Sequence, residues 1–263
     1  MMLEVENLKI GFNDSLTGEV VHGISFDMMD GERLGIVGES GAGKTMTALA
    51  LAGLLDRKKN KLSGEIRFKG RNLLNISRKE LHETQGRDIG FIFQEPVASL
   101  NPLMRIFPQI EESLVLHTKL SKEERKKLVL CAMNDVGLPA PETTAKKFPH
   151  QLSGGQCQRV MIASALICKP PLLIADEPTT ALDVTVQTQI LNLLKKVNQE
   201  QNVGILYISH DLSLVRRLCD RVLVMYNGNI VEQGDTETIF THPQDPYTKR
   251  LVAAIPTREK RYV

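Results

Sequence analysis

Hydrophobic and polar residues alternate over several short stretches in the first quarter of the chain. The alternation runs through residues 3–8, 24–28 and 66–68, and a period of two is typical of half-buried strands. Asp30-Gly31 separates the second stretch from an apolar run at residues 34–37, which predicts that these two strands pair across a tight turn. We therefore expect the chain to open with short antiparallel strands.

The apolar spacing becomes helical between Ser99 and Ala165. Within this region Ser121 is followed three residues later by Glu124, which is the spacing of a capping box at the start of a helix. The pattern predicts a mostly helical insert.

Two apolar stretches after the insert, residues 172–175 and 204–209, have the length of buried strands. A helical pattern lies between them and places its apolar residues on one face: Val186, Ile190, Leu193, Leu194 and Val197. A strand, a helix and a strand in this order predict a βαβ unit of a parallel sheet.

A hairpin is predicted near the end of the chain. Residues 222–226 and 230–232 are apolar stretches that flank Asn227-Gly228, and this dipeptide favours the positive φ angles of a tight turn. Prolines at 243, 246 and 256 exclude one long helix in the tail that follows.

Composition and charge place the chain among folded globular proteins. Its 263 residues are 42% hydrophobic and 24% charged, as in soluble globular proteins. Its net charge of +2 is too small to indicate a dedicated nucleic-acid-coating surface. The longest apolar stretch, residues 160–168, is far shorter than the roughly 20 residues that span a bilayer. The first residues lack the pattern of a signal peptide, and the four cysteines lack paired spacing. We expect a cytosolic protein with free thiols that does not cross a membrane.

A phosphate-binding loop is predicted after the apolar run at residues 34–37. The segment from Gly38 to Thr45 has the pattern GxxxxGKT and precedes a helix-like stretch. Its glycines let backbone N–H groups surround phosphate oxygens, Lys44 can reach the β and γ phosphates, and the Thr45 hydroxyl can bind Mg²⁺. A merely flexible glycine turn is the alternative. The predicted nucleotide-binding residues here are Gly38, Glu39, Ser40, Gly41, Ala42, Gly43, Lys44, Thr45 and Met46.

Adjacent carboxylates, Asp176 and Glu177, follow the apolar stretch at residues 172–175. One carboxylate can hold Mg²⁺ through water while the other orients an attacking water molecule. By itself the pair fits an ordinary strand-to-loop boundary equally well. The phosphate loop upstream favours the catalytic interpretation.

A second anion site is predicted at the start of a helical run. The residues involved are Ser153, Gly154, Gly155 and Gln156, which follow Leu152. Their paired glycines expose backbone donors beside a hydroxyl at a helix N-terminus. One phosphate loop does not need this second site, so we expect it to close on the γ-phosphate held by another subunit, with ATP between the two chains.

These motifs, in this order, resemble the ATPase subunit of ABC transporters over essentially the whole chain. The resemblance implies an α/β P-loop NTPase fold of ABC type, with a RecA-like parallel core, an N-terminal antiparallel β subdomain and a helical insert. It implies a single ABC ATPase domain over residues 1–263. Its parts would be residues 1–98 for the β subdomain and first part of the core, 99–165 for the helical subdomain, 166–235 for the rest of the core and 236–263 for the tail.

Further positions match the family pattern. Gln94 matches the glutamine of the family's Q-loop, and residues 180–183 match its D-loop with Thr180 in place of the common Ser. His210 matches the switch histidine, and Phe12 lies where the family places an aromatic residue that stacks on adenine. Two departures are Cys157, where Arg or Lys is common, and Met46, where Ser or Thr is common; they leave the chemistry in place but could change interface packing.

The resemblance implies a role for each matched residue. Glu177 would be the general base, His210 would hold the γ-phosphate and the attacking water, and Gln94 would sense Mg²⁺ and the membrane partner. The implied catalytic set is Glu177, His210, Gln94 and Lys44, and the implied Mg²⁺ set is Thr45, Gln94 and Asp176 through water. ATP and Mg²⁺ are the implied cofactors.

The resemblance also implies an assembly. Its members would be a second ATPase subunit, two transmembrane permeases and an extracytoplasmic substrate-binding protein, with no nucleic acid, at the cytoplasmic face of the inner membrane. We expect a different chain as the second ATPase, although a second copy of this chain stays open. Residues 95–116 are expected to contact the permease; internal packing of the helical insert is the alternative.

The resemblance leaves two classes of cargo open, metals or metal chelates and peptides. Residues 94–102 and 242–251 resemble the oligopeptide/nickel importer branch of the family. Many peptide-transporting members carry a longer C-terminal extension with a cysteine cluster, so the absence of cysteine after Cys219 leads us to expect nickel, cobalt or a metal chelate. Oligopeptide or dipeptide import is the alternative. A non-hydrolysing regulatory module and a soluble ABC ATPase are rival functions, which the matches at Glu177 and His210 and the single set of motifs disfavour.

Overall fold

The computed structural model describes residues 1–13, 18–180 and 182–255. These form two compact units, the first comprising Met1–Ile76 and Leu206–Val263 and the second Ser77–Ile205. Ala181, in the predicted D-loop, and Pro256 lie outside the described residues.

The elements follow one another along both units. The strands are β1 (Leu3–Phe12), β2 (Glu19–Met28), β3 (Arg33–Val37), β4 (Asn60–Phe68), β5 (Arg71–Asn72), β6 (Ile89–Ile92), β7 (Leu172–Asp176), β8 (Gly204–Ser209), β9 (Arg221–Tyr226) and β10 (Asn229–Asp235). The helices are α1 (Lys44–Leu51), α2 (Arg78–Thr84), α3 (Pro96–Ser99), α4 (Ile106–His117), α5 (Lys122–Asp135), α6 (Pro141–Thr144), α7 (Gly154–Leu166), α8 (Val184–Gln201), α9 (Leu212–Leu218), α10 (Thr236–Thr241) and α11 (Pro246–Ala253).

An antiparallel sheet in the first unit has the strand order β2-β1-β4-β5. The predicted alternation sets its register, because Leu3 of β1 lies opposite Met28 of β2 and Phe68 of β4. All three side chains are buried, while the intervening Glu4 and Glu6 are not. The short antiparallel strands expected at the start of the chain are confirmed.

The predicted pairing between residues 24–28 and 34–37 is wrong. β2 pairs with β1, whereas β3 runs parallel to β9, with Leu34 opposite Arg221 and Val37 opposite Val224. The four residues from Leu34 to Val37 are all buried. This is typical of an interior strand of a parallel sheet that is covered on both faces, and not of a strand in a sheet with one face exposed to solvent. The turn at Asp30-Gly31 therefore carries the chain from one sheet to another.

The other sheet of the first unit has the order β10-β9-β3-β8. β9 and β10 form the predicted hairpin, and Asn227 and Gly228 have φ angles of 43° and 74°. Both positive values are those of a two-residue hairpin turn. The Asn-Gly prediction is confirmed.

Helices dominate the second unit. α4, α5 and α7 pack against one another and bury Ile110, Val129 and Met133. Ser121 caps α5 as predicted: its hydroxyl accepts from the Glu124 N–H at 3.3 Å, and the Glu124 carboxylate accepts from the Ser121 N–H at 2.8 Å. The helical insert is confirmed.

Strand β7 pairs with β6 in the second unit. It runs parallel to β6, with Ile89 opposite Leu172. α8 connects β7 to β8 and buries Ile190, Leu194 and Val197, as its apolar pattern predicts. Val186 and Leu193 are only half-buried while Leu191 is buried, so the inner face of α8 is rotated slightly from the predicted one.

No helix within residues 1–13, 18–180 and 182–255 has both the length and the apolar character needed to cross a membrane.

Candidate functional site

The predicted phosphate loop connects β3 to α1 in the first unit. Gly38 directly follows β3. A Cβ atom on Gly38 would lie 2.2 Å from the Met225 carbonyl oxygen. Gly43 caps α1 with a φ of 96°, and a Cβ there would lie 3.0 Å from a Val21 methyl carbon. Glycine is therefore required at both ends of the loop, at the first by close packing and at the second also by its backbone angle.

Lys44 lies inside the curve of this loop. Its side chain is only 5% exposed, and its Nζ donates to the carbonyl oxygens of Gly38 at 2.8 Å and Glu39 at 2.9 Å. Helix α1 begins at this residue and has no acidic residue in its first turn. The buried ammonium and the positive end of a helix act on the same loop, which is a favourable arrangement for phosphate.

Strand β7 ends at Asp176 in the second unit, and Glu177 follows directly. Asp176 is buried, and Glu177 has a φ of 46°, a left-handed conformation that costs a non-glycine residue about 1 kcal/mol or more. Two side chains hold the Glu177 carboxylate: Gln94 Nε2 donates to Oε2 at 3.1 Å, and Thr180 Oγ1 donates to the same oxygen at 2.9 Å. The structure thus brings together the residues that match the Q-loop, the end of β7 and the D-loop.

The contact between Thr180 and Glu177 is not predicted by the sequence. In the match to the family's D-loop pattern, Thr180 is only a departure from the common Ser. Both residue types nevertheless carry the hydroxyl that makes this bond. Asp183, three residues later, caps α8 by accepting from the Val186 N–H at 2.9 Å. Retention of a hydroxyl at position 180 is the signal from which the contact could have been predicted.

The predicted second anion site is the N-terminus of α7. The Ser153 hydroxyl accepts from the Gln156 N–H at 3.3 Å, and the Gln156 side chain accepts from the Ser153 N–H at 3.0 Å. Both side chains therefore form a capping box. Gly154 is exposed, with nothing within 4 Å of a Cβ built there. The first turn of this 13-residue helix has no acidic residue, so its positive end faces open space.

Cys157 and Met46, the two departures from the family pattern, differ in burial. Cys157 is fully buried, its Sγ lies 3.6 Å from the Pro149 carbonyl oxygen, and burial raises the pKa of its thiol. Its side chain therefore packs inside the second unit and offers no surface to another chain. Met46 is half-buried in α1. All four cysteines lie within the described chain, and none forms a disulfide.

His210 and Phe12 belong to the first unit. His210 is exposed and directly follows β8. The residues on either side of it are bonded, because Ser209 Oγ accepts from the Asp211 N–H at 2.9 Å and Asp211 caps α9. Phe12 ends β1, and its side chain is 40% exposed beside Lys9 and Lys61. An aromatic ring that is partly exposed can stack on a flat ligand.

Comparison with known proteins gives a consistent set of relatives. The family model described as ABC transporter matches residues 21–180. Dipeptide transport ATP-binding protein DppD of Bacillus subtilis is 46% identical over 97% of this chain and 77% of its own length. Oligopeptide transport ATP-binding protein OppD of the same organism is 48% identical over 98% of this chain and 73% of its own length. Glutathione import ATP-binding protein GsiA of Escherichia coli is 45% identical over 97% of this chain but only 42% of its own length.

Solved structures have the same fold. The ATP-binding cassette MJ0796, a dimer bound to ADP and Pi in a post-hydrolysis state, matches with a TM-score of 0.80 and 29% identity over 89% of this chain and 99% of that one. The protein cbiO1 of Clostridium perfringens, part of the ABC transporter complex cbiONQ, matches with a TM-score of 0.78 and 31% identity over 92% and 91% of the two chains. The predicted α/β P-loop NTPase fold with an antiparallel subdomain is confirmed.

Proposed function

The chain belongs to the ABC transporter family as an importer ATPase, and we propose that it energises the import of short peptides. The assignment of the cargo is supported by the similarity of this chain, over 97% of its length or more, to ATPases named for dipeptide, oligopeptide and glutathione import. Glutathione is itself a tripeptide, so these three names describe one chemical class. The relatives therefore favour the peptide alternative over the nickel or cobalt expected from the absence of a late cysteine cluster.

ATP binding is assigned to the loop between β3 and α1. Lys44 and the loop N–H groups hold the phosphates, with the α1 N-terminus adding positive potential. Phe12 stacks on the adenine ring. The partial exposure of Phe12 and the burial of Lys44 support these assignments.

Mg²⁺ is assigned to oxygen donors of three residue types. A hydroxyl, an amide and a carboxylate are ligands that this hard cation prefers, so Thr45, Gln94 and Asp176 fit it, with Asp176 acting through water. When bound, the ion neutralises phosphate charge and helps the leaving oxygen depart. Asp176 is buried at the end of a strand, which suits a fixed second-sphere partner.

Hydrolysis is assigned to Glu177 as general base. The bonds from Gln94 and Thr180 fix the direction of its carboxylate, and a proton from the attacking water passes to that carboxylate. His210 holds the γ-phosphate and the same water. Gln94 contacts the base and belongs to the chain segment that leads to α3, so a movement of that segment changes how the base is held.

A second ATPase subunit completes the site. Ser153, Gly154, Gly155 and Gln156 of one subunit close on the γ-phosphate held by the loop of the other, head to tail over two nucleotides. The exposed positive end of α7 supports this arrangement, as does the dimeric state of the similar MJ0796 cassette. The second subunit is a different chain or a second copy of this one.

A permease is the partner assigned to residues 95–116. Leu103 is 87% exposed and Leu116 is 70% exposed, and Val97 is exposed as well. α4 also buries Ile110 and other residues, so the segment both packs internally and offers an apolar surface. Two transmembrane permeases and an extracytoplasmic binding protein would complete a transporter, with this chain at the cytoplasmic face of the inner membrane.

Uptake assays test the cargo. Cells that carry the wild-type protein or Glu177→Gln are given labelled dipeptide, labelled oligopeptide and labelled nickel in parallel. Glu200→Gln makes the same substitution on an exposed position of α8 and serves as the control. We expect Glu177→Gln alone to abolish peptide uptake while nickel uptake is unchanged; loss of nickel uptake alone would overturn the peptide assignment.

A further inference from the structure

A residue near the end of the chain reaches the phosphate loop. The hydroxyl oxygen of Tyr247, in the first turn of α11, accepts a hydrogen bond from the Glu39 N–H at 2.9 Å, although the two residues are 208 positions apart. The Tyr247 side chain is 4% exposed, and its ring packs against Tyr226 with centroids 4.2 Å apart. This partly buried contact lies wholly within the first unit.

The bond holds one particular peptide group. The N–H of Glu39 and the C=O of Gly38 belong to the same planar unit. Tyr247 accepts from the N–H side, and Lys44 Nζ donates to the C=O side at 2.8 Å. Because the group is rigid, these two bonds on opposite edges fix its orientation, and Lys44 is one of the two partners.

Tyr247 is itself held firmly in place. Asp245 Oδ1 accepts from the Tyr247 N–H at 2.7 Å and caps α11. The Glu232 carboxylate of β10 accepts from the N–H groups of Gln244 at 2.8 Å and Asp245 at 3.0 Å. The start of α11 is therefore tied to the sheet that also carries the loop. Burial raises the pKa of Tyr247, so its hydroxyl stays protonated at neutral pH.

We propose that Tyr247 is a positioning residue for the phosphate loop. Its hydroxyl sets the plane of the peptide between Gly38 and Glu39, and with it the place from which Lys44 reaches phosphate. This inference rests on the proposed function, in which Lys44 binds ATP. Without the bond, the peptide group loses one of the two bonds that orient it. The competent loop is then kept by only part of the population, so apparent affinity falls by that fraction.

Tyr247→Phe removes the acceptor and keeps the ring. In the purified full chain we expect the Kd and the KM for ATP to rise about three- to tenfold, the effect of losing one hydrogen bond, while kcat stays within about twofold. Tyr226→Phe removes a hydroxyl from the neighbouring ring and should leave all three values unchanged. A general loss of folding would lower kcat in proportion and would not separate the constants in this way.

Hydrogen exchange without nucleotide gives an independent readout. We expect faster exchange at the Glu39 amide in Tyr247→Phe, with unchanged exchange in the last turn of α1. Unchanged Kd and unchanged exchange at Glu39 would overturn the inference, as would an equal rise in Kd for Tyr226→Phe. Lys44→Ala distinguishes a failure of the proposed function from a failure of this inference. If Lys44→Ala binds ATP as the wild type does, the proposed function fails and the inference fails with it. If Lys44→Ala loses ATP binding but Tyr247→Phe binds ATP as the wild type does, only the inference is overturned.

Discussion

Thr180 donates its hydroxyl hydrogen to Oε2 of Glu177 at 2.9 Å. The backbone supports the same turn, because the Thr180 N–H donates to the Glu177 carbonyl oxygen at 3.2 Å. The proposed general base is thus held by the loop that directly follows it in sequence, as well as by Gln94 from another element. Orientation of this carboxylate is a property of the second unit itself.

Thr180→Val tests the contribution of that hydroxyl. Valine has nearly the same shape but cannot donate, so Glu177 loses the hydrogen bond from this side chain. We expect kcat for ATP hydrolysis to fall about tenfold, since a hydrogen bond to a charged group contributes about 1.5 kcal/mol or more, with KM within about twofold. Thr180→Ser keeps the hydroxyl and serves as the control; equal kcat for Thr180→Val and the wild type would show that the bond does not position the base.

Gly38→Ala tests the packing of the phosphate loop. A Cβ at this position would lie 2.2 Å from the Met225 carbonyl oxygen, and neither group is at the end of a flexible side chain. We expect loss of ATP binding and a free energy of unfolding lowered by more than the roughly 1 kcal/mol of a simple positive-φ penalty. Gly70→Ala has that penalty alone, because Gly70 has a φ of 77° and no atom lies within 4 Å of a Cβ built there. If urea unfolding gave both variants the same loss of free energy of unfolding, the close packing at Gly38 would have no energetic cost.

Substitutions at Ser153 separate helix capping from anion binding. Asp and Asn both cap helices about as well as Ser, so neither Ser153→Asp nor Ser153→Asn should destabilise α7 greatly. Only Asp adds a negative charge where the γ-phosphate is expected. We predict at least a hundredfold loss of ATPase activity for Ser153→Asp and a much smaller loss for Ser153→Asn at matched thermal stability. Equal activities would place the phosphate elsewhere.

The stability contributed by Glu232 should depend on pH. Burial alone would raise the pKa of this carboxyl, but the Thr248 side chain and the N–H groups of Gln244 and Asp245 together outweigh it and hold the pKa below its usual value. A carboxyl with a depressed folded-state pKa stabilises the protein above its unfolded pKa of about 4.3, and this stabilisation is lost as the pH falls through the folded value.

Glu232→Gln is the matching variant. We expect it to lower the free energy of unfolding by about 1–2 kcal/mol at pH 7, because the amide is a weaker acceptor than the carboxylate. The difference from the wild type should shrink as the pH falls below about 4. Urea unfolding at several pH values measures it, and a difference that did not vary with pH would contradict the assigned ionisation.

Local features of the fold were predictable from the sequence. The hairpin at Asn227-Gly228 and the cap at Ser121 depend on a few adjacent residues whose backbone preferences decide the structure. The phosphate loop is of the same kind, since its glycines, Lys44 and the following helix are contiguous. In each case the residues that make the feature are the residues that signal it.

Long-range pairing was not predictable in the same way. β3 pairs with β9, almost two hundred residues away, and the tight turn before β3 favoured the nearer and incorrect partner. The contact between Tyr247 and Glu39 and the donation from Thr180 to Glu177 depend on side-chain positions that only the folded chain defines. Alternation identifies which faces are buried but not which strand covers them.

ATP turnover by Glu177→Gln tests the central claim most directly. The variant and its control, Glu200→Gln, are mixed with ATP and Mg²⁺, and phosphate release, retained nucleotide and molecular mass are measured together. The account predicts that Glu177→Gln retains ATP and accumulates as a closed ATPase dimer, with its own copy or with the second ATPase chain, while its turnover falls at least a hundredfold and that of Glu200→Gln is unchanged. Wild-type phosphate release by Glu177→Gln would contradict the assignment of Glu177 as the general base.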